Sequence, residues 1–201
     1  MARDIDDLVP RVKTYAPRAP DPLVERFVRE GARKLCSTAR FWRVNDSYPI
    51  AQNCDEIPCP LPDAEIIAIE YARIDGRRID PVTVEWLDAN VSGWPDLVMD
   101  EAAARYITQL VEGTARLVPP QSGTLTARYI LQPSKDALTL PDFLVDRHDE
   151  TIASYAAGMV LTTPNETFQN PQLGSALLAS WKWKGARGQQ GAPLRVKGRY
   201  L

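Results

Sequence analysis

A single histidine and three cysteines are all that 201 residues offer of the side chains that most often hold a metal or drive nucleophilic catalysis. His148 sits in an apolar helical stripe, where packing and one hydrogen bond satisfy it, and as the sole histidine it removes most histidine-dependent mechanisms. Cys54 and Cys59 have a spacing that some zinc sites use. A structural zinc wants about four ligands, and only Cys36 and His148, in separate helical stretches, remain to complete the set. No metal or other cofactor is expected, and the odd cysteine count fits a chain folding in a reducing cytoplasm. No apolar run approaches the roughly eighteen residues of a membrane span. Arg3, Asp4, Asp6 and Asp7 stand where a signal peptide has its apolar stretch, so neither membrane nor secretion is expected. Phosphate-cradling glycine loops are missing too: Gly185, Gly188 and Gly191 follow a helix instead of opening one. Carboxylate neighbours such as Asp55/Glu56 and Asp149/Glu150 are tied to no cleft. No catalytic constellation emerges, and the chain is expected not to be an enzyme.

What is present is patterned for packing. From Pro141 onward, Leu144, His148, Ile152, Tyr155 and Met159 recur at steps of three and four, with Arg147, Glu150 and Ser154 opposite, which predicts an amphipathic helix. A polar loop leads to Asn170-Pro171, an N-cap followed by proline at the first helical position, and to a second helix through Trp183. Asp21-Pro22 starts a third helix, whose Val24, Val28, Gly31, Leu35, Ala39 and Trp42 share one side as far as Arg43. Ile5, Leu8, Val9, Val12 and Tyr15 predict a short N-terminal helix in which Pro10 is tolerable only in the first turn.

Between Val44 and Leu140 the period becomes strand-like. Glu65–Ile74 reads as a strand, Asp75-Gly76 as a type I′ turn, and Arg77 to Trp86 as a return strand weakened by Pro81. Further strands are expected at 105–110, 114–118 and 124–131, with Pro58, Pro60, Pro62 and Pro133 marking where the chain enters and leaves the region. The fold class expected is α+β: a small helical bundle from residues 1–43 and 141–185, an inserted antiparallel β domain at 44–140, and an extended C-terminal arm at 186–201.

Formal net charge is −2, but it is unevenly spread. Residues 1–181 hold eighteen basic and twenty-six acidic groups, a net of −8, while the stretch from Lys182 onward holds six basic groups and no acid. On the Asp21 helix, Arg26, Arg29, Arg33 and Arg40 fall within about 60° of one another. They form either a solvated charged face or a cationic stripe meeting an acidic row on a neighbouring subunit, for which Asp142, Asp146, Asp149 and Glu150 are the candidates. Trp181 and Trp183 lie roughly 200° apart around a helix axis. If the helix persists to Lys184 one of them is left for a partner surface; if it frays at Ser180 both rings fold back. In the arm, Leu194, Val196 and Tyr200 alternate with Arg195, Lys197 and Arg199 around Gly198 and before Leu201, a pattern suited to adding a strand to another chain's exposed edge. A disordered basic tail and a contact to DNA phosphates are the other readings.

Several stretches resemble the head-to-tail connector, or adaptor, proteins of tailed bacteriophages. Asp7-Leu8-Val9-Pro10, Pro20-Asp21-Pro22-Leu23-Val24 and Phe41-Trp42-Arg43 look like that family's N-terminal part. Tyr71 to Gly76 resembles its hairpin, and Leu117-Val118-Pro119-Pro120 with Gly123 to Ser134 its later strands. Thr163-Pro164 to Asn170-Pro171-Gln172-Leu173 resembles its helical-hairpin connection, with Phe168 where relatives often have Trp. The resemblance implies a virion neck protein, assembled in the host cytoplasm. Its copies, twelve by that resemblance, form a ring between the portal and a tail or neck protein, around DNA that passes without sequence-specific binding. The segment Leu194, Arg195, Val196, Lys197, Gly198, Arg199, Tyr200, Leu201 is then the arm that grips the portal. The alternative, from another class, is a nucleic-acid-binding protein using the arm and the arginine-rich helix face.

Overall fold

The computed structural model describes residues 2–51, 56–99, 102–111, 113–164 and 166–188, with backbone only for 182–188. In chain order the elements are β1 (Ala2–Asp4), a 3-10 turn (Ile5–Leu8), α1 (Val9–Lys13), α2 (Asp21–Ala39), β2 (Arg43–Ile50), β3 (Ile57–Pro58), β4 (Ala64–Ile74) and β5 (Arg77–Pro81). There follow α3 (Val84–Asn90), a 3-10 turn (Trp94–Asp96), β6 (Tyr106–Thr108), β7 (Thr114–Val118), β8 (Gly123–Pro133), β9 (Thr139–Pro141), α4 (Asp142–Leu161) and α5 (Pro171–Gly188). They divide into two compact units, one of residues 1–41 with 135–201 and one of residues 42–134.

In the first unit α4 is the central element. Its Ile152–Gly158 run is buried on every side, because α2 and α5 both pack on it. The one-sided stripe expected of this helix therefore fails in its second half: Ser154, placed on the outer face by the pattern, is 4% exposed, and its hydroxyl donates to the Glu150 carbonyl instead of to water. Small residues allow the close crossings. Gly31 of α2 faces Tyr155, and Gly158 of α4 faces Gly174 of α5. Pro10 lies in the first turn of α1, where a missing N–H costs nothing. Asn170 caps α5, its side-chain oxygen accepting from Leu173 N at 3.1 Å. β1 and β9 pair as a two-stranded ribbon that the sequence pattern did not indicate.

α2 is shorter than its periodicity implies. Arg40 takes a left-handed conformation, φ 51°, and its N–H closes on the Cys36 carbonyl at 2.8 Å, so the helix stops at Ala39. Trp42 thus leaves the helical seam and is buried in the second unit, where its carbonyl accepts from Leu131 N.

The second unit corrects the expected fold class. In place of a small antiparallel insertion on a helical bundle, seven strands form one nearly closed, barrel-like sheet in the order β2-β8-β4-β5-β6-β7-β3, and the protein has a largely β core. The physical reason is strand length. β4 and β8 are each 11 residues long and pair along almost all of it, and β2 adds an 8-residue ladder on the far side of β8. The sheet is not purely antiparallel, since β5 runs parallel to β6. Asp75 and Gly76 make the turn between β4 and β5 with φ of 49° and 80°, the left-handed pair that a type I′ hairpin requires. The return strand ends at Pro81 and not at Trp86. Thr83 then caps α3, accepting from Trp86 N, and Leu87 of that helix packs with Trp94 and Val118 in a satellite core.

Candidate assembly surfaces

The acidic row of α4 is engaged within its own chain. Arg3 reaches Asp146 at 3.0 Å and Asp142 at 4.0 Å, and Arg11 reaches Asp149 at 2.6 Å. Glu150 also has an interaction of its own. The β1–β9 ribbon and α1 bring these arginines to α4, and the sequence gives no cue to pairs so far apart in the chain.

The arginine face of α2 is similarly divided. Arg29 donates from Nε to the Ala137 carbonyl at 2.7 Å, part-buried, and Arg33 too has a partner. Arg40 is the residue that ends the helix, and Arg26 is exposed beside the Phe27 ring. The four do not form a uniform cationic strip.

Trp181 belongs to the core of the first unit. It is 6% exposed and packs on Tyr155 with ring centroids 5.0 Å apart, which the unbroken course of α5 to Gly188 makes possible. The fraying at Ser180 that would fold both rings back does not occur. The side chain of Trp183, the segment 194–201 expected to grip the portal, and Cys54 lie outside the described residues. Tyr155 donates to Glu30 Oε1 at 2.6 Å, and burial, reinforced by that carboxylate, pushes its phenol well above the ordinary range.

His148 stacks on Phe41 at 4.7 Å with the rings 9° apart, and Phe143 meets Phe41 edge-on at 5.7 Å. Burial lowers the histidine's pKa, Arg147 lowers it further, and Asp149 opposes both. Cys36 is buried in α2, its thiol pushed up by burial, and Cys59 is half-buried. Among the described residues no three His, Cys, Asp or Glu side chains gather where a metal ion could be held.

The surface that sequence reasoning missed lies in the second unit, beside β4. There a groove of about 320 Å³ is lined by Glu65, Ile66, Ile67, Gln109, Leu110, Val111 and Gln132. Gln109 donates to the Ile66 carbonyl at 2.8 Å and Gln132 to Glu65 Oε2 at 3.1 Å, so amides hold the walls in place. Leu110 and Val111 stand 41% and 53% exposed at the rim. β4 pairs with β8 throughout but with β5 only over Ala72–Ile74, so among the described residues no strand flanks the outer edge from Ile67 to Tyr71. Register shifts between Ile66 and Ala68 and between Ile69 and Tyr71 leave Ile67 and Glu70 as bulge residues without a cross-strand partner. Glu70 turns to Arg43, whose Nε lies 3.0 Å from both carboxylate oxygens. The one cue in the sequence was the run Ile66-Ile67-Ala68-Ile69, apolar on successive residues where a half-exposed strand would alternate.

An open main-chain edge with apolar side chains at its rim is the chemistry of a surface that receives another polypeptide. No protein-family model matches the chain, and no curated protein matches it either.

Proposed function

We propose that this protein is a structural virion component, a head-to-tail adaptor whose copies form a ring between the portal and the tail of a bacteriophage. The family resemblance supplies the partners. The observation that carries the assembly role is the groove beside β4, with its unflanked edge and its exposed Leu110 and Val111. A ring of identical copies needs a heterologous contact, in which one patch meets a different patch on the next copy, and an unflanked strand edge supplies one half of such a contact. The net −8 of residues 1–181 also suits a channel wall past which DNA slides without adhering. In this reading the protein occupies the neck, binds portal on one side and a tail or neck protein on the other, and carries out no catalytic step.

Electron microscopy of the purified protein, with and without portal rings, tests the proposal. Rings stacked coaxially on the portal are the expected result. Absence of any portal-bound ring overturns it, and steep salt-dependent DNA binding by the isolated subunit would favour a nucleic-acid-binding protein instead.

A further inference from the structure

Resting on the ring reading above, we infer that the groove between β4 and residues 109–111 is the acceptor for the C-terminal segment Leu194–Leu201 of a neighbouring copy of this chain. The family resemblance implies that this segment grips the portal, yet the kind of edge it needs is present on the protein itself.

Three features of groove and segment match. The first is the edge. β2, at one end of the sheet, carries Pro49 and Asp46, devices of the kind that keep an edge strand from recruiting another chain. β4 from Ile67 to Tyr71 has bulges at Ile67 and Glu70 but no proline, and its side chains are half-buried and, Glu70 apart, apolar. At about 3.3 Å per residue this stretch spans roughly 17 Å, within the roughly 26 Å that Leu194–Leu201 covers when extended. The second is the alternation. Leu194, Val196 and Tyr200 fall on one face of an extended strand and suit Ile67, Leu110 and Val111, while Arg195, Lys197 and Arg199 fall on the other. The third is charge. The segment has three cations and no acid, and the one charged residue lining the groove is Glu65, whose carboxylate also accepts from Gln132.

The connector Gln189–Pro193 sets the reach. At no more than about 3.6 Å per residue, the six steps from Gly188 let the paired segment begin within roughly 22 Å of the end of α5. Such a leash brings an adjacent copy's groove within range only when the copies are held side by side, as in a ring.

Disulfide capture tests the assignment. A synthetic peptide of residues 189–201 carrying Val196→Cys is mixed, under mild oxidation, with the full-length Ile67→Cys protein. Capture above the wild-type background is expected, and a peptide in which Arg195, Lys197 and Arg199 are all replaced by glutamate should be captured at least tenfold less. Full-length Val111→Cys serves as a second anchor should Ile67→Cys not fold. No capture at either anchor, or equal capture by Ser47→Cys on β2, overturns the inference. Full-length Ile67→Cys and Val196→Cys chains bearing different tags are then mixed: a disulfide joining the two tags is expected. If the doubly substituted chain cross-links only within itself, the neighbouring-copy assignment is overturned. The two proposals fail separately. Portal-bound rings without the cross-link reject the groove assignment alone, and the cross-link without portal binding rejects the adaptor reading alone.

Discussion

Replacing Gly174 by alanine probes the crossing of α4 and α5 most sharply. A Cβ at this position would sit 2.9 Å from the Gly158 carbonyl oxygen, 2.8 Å from Thr162 Cγ2 and 3.2 Å from Leu161 Cβ. The carbonyl is main chain in a buried helix and cannot rotate away, so the two helices must part. Helix propensity works the other way, since Gly→Ala within a helix is worth about 1 kcal/mol. Overpacking of a tight interface costs about 1–3 kcal/mol, and here the separation also loosens Leu178 on Gly158 and Trp181 on Tyr155. The net expectation is a loss of about 1–2 kcal/mol. For a unit of about 100 residues that lowers Tm by roughly 5–15 °C. Thermal and urea unfolding followed by helical circular dichroism measures it. Gly158→Ala meets the same crossing from the other side, 3.1 Å from the Gly174 carbonyl, so the double variant should lose less than the two single losses together. If Gly174→Ala is neutral, or gains the kilocalorie that propensity alone offers, the close approach of these helices is wrong.

Gly123→Ala should destabilise the β unit by about 1–3 kcal/mol, because φ is 141° and the new Cβ would collide with the Asp75 carboxylate that accepts from Thr124 N; a denaturation midpoint equal to wild type refutes this. Trp181→Ala should cost about 3–5 kcal/mol in the helical unit, as for other buried tryptophans, and a surface-like loss below about 0.5 kcal/mol in urea unfolding would place the ring outside the core. Stability should fall on both sides of neutrality. Burial holds protons on Cys36 and Tyr155, so the unfolded chain releases them first as pH rises past their ordinary 9.0 and 10.0, and the stability present below pH 9 is lost above it. His148 is held neutral, so as pH falls below 6.5 the unfolded chain takes up its proton first and stability drops there too. Urea midpoints at pH 5.5, 7.5 and 10.5 check both arms, and a midpoint that rises toward either extreme contradicts the assigned sign.

Local chemistry made some elements legible. Asn170-Pro171 starts α5, Asp75-Gly76 turns β4 into β5, and the strand at Thr114–Val118 falls where its alternation put it, because each signal lies within a few adjacent residues. Where the deciding interaction is tertiary, the pattern misled. Arg40 ends α2 in a left-handed conformation that glycine or asparagine usually signals, so Trp42 looked like the helix's last seam residue. Thr83 opens a helix that Pro81 and the β-branched Val82 and Val84 disguised as strand. β2 carries no strand signal of its own, because Asn45, Asp46 and Ser47 look like a loop until β8 pairs with them. The candidate site was least legible of all: the groove joins residues 65–67 to 109–111 and 132, and no local signal links those three stretches.

The charged and the apolar surfaces contribute to assembly in different ways. Asp142, Asp146 and Asp149 already face Arg3 and Arg11, and an exposed pair of this kind is worth about 0–1 kcal/mol. A neighbour's arginines would have to displace these partners to gain no more than a comparable amount. Exposed Leu110 and Val111 have no such prior engagement with charge. Leu110 and Val111 are already about half covered, so burying the rest of each is worth roughly 1 kcal/mol, and main-chain bonds to the β4 edge would add to it. In the ring proposed above, the groove would therefore be the main source of stabilisation, and charge would act on orientation and the rate of encounter.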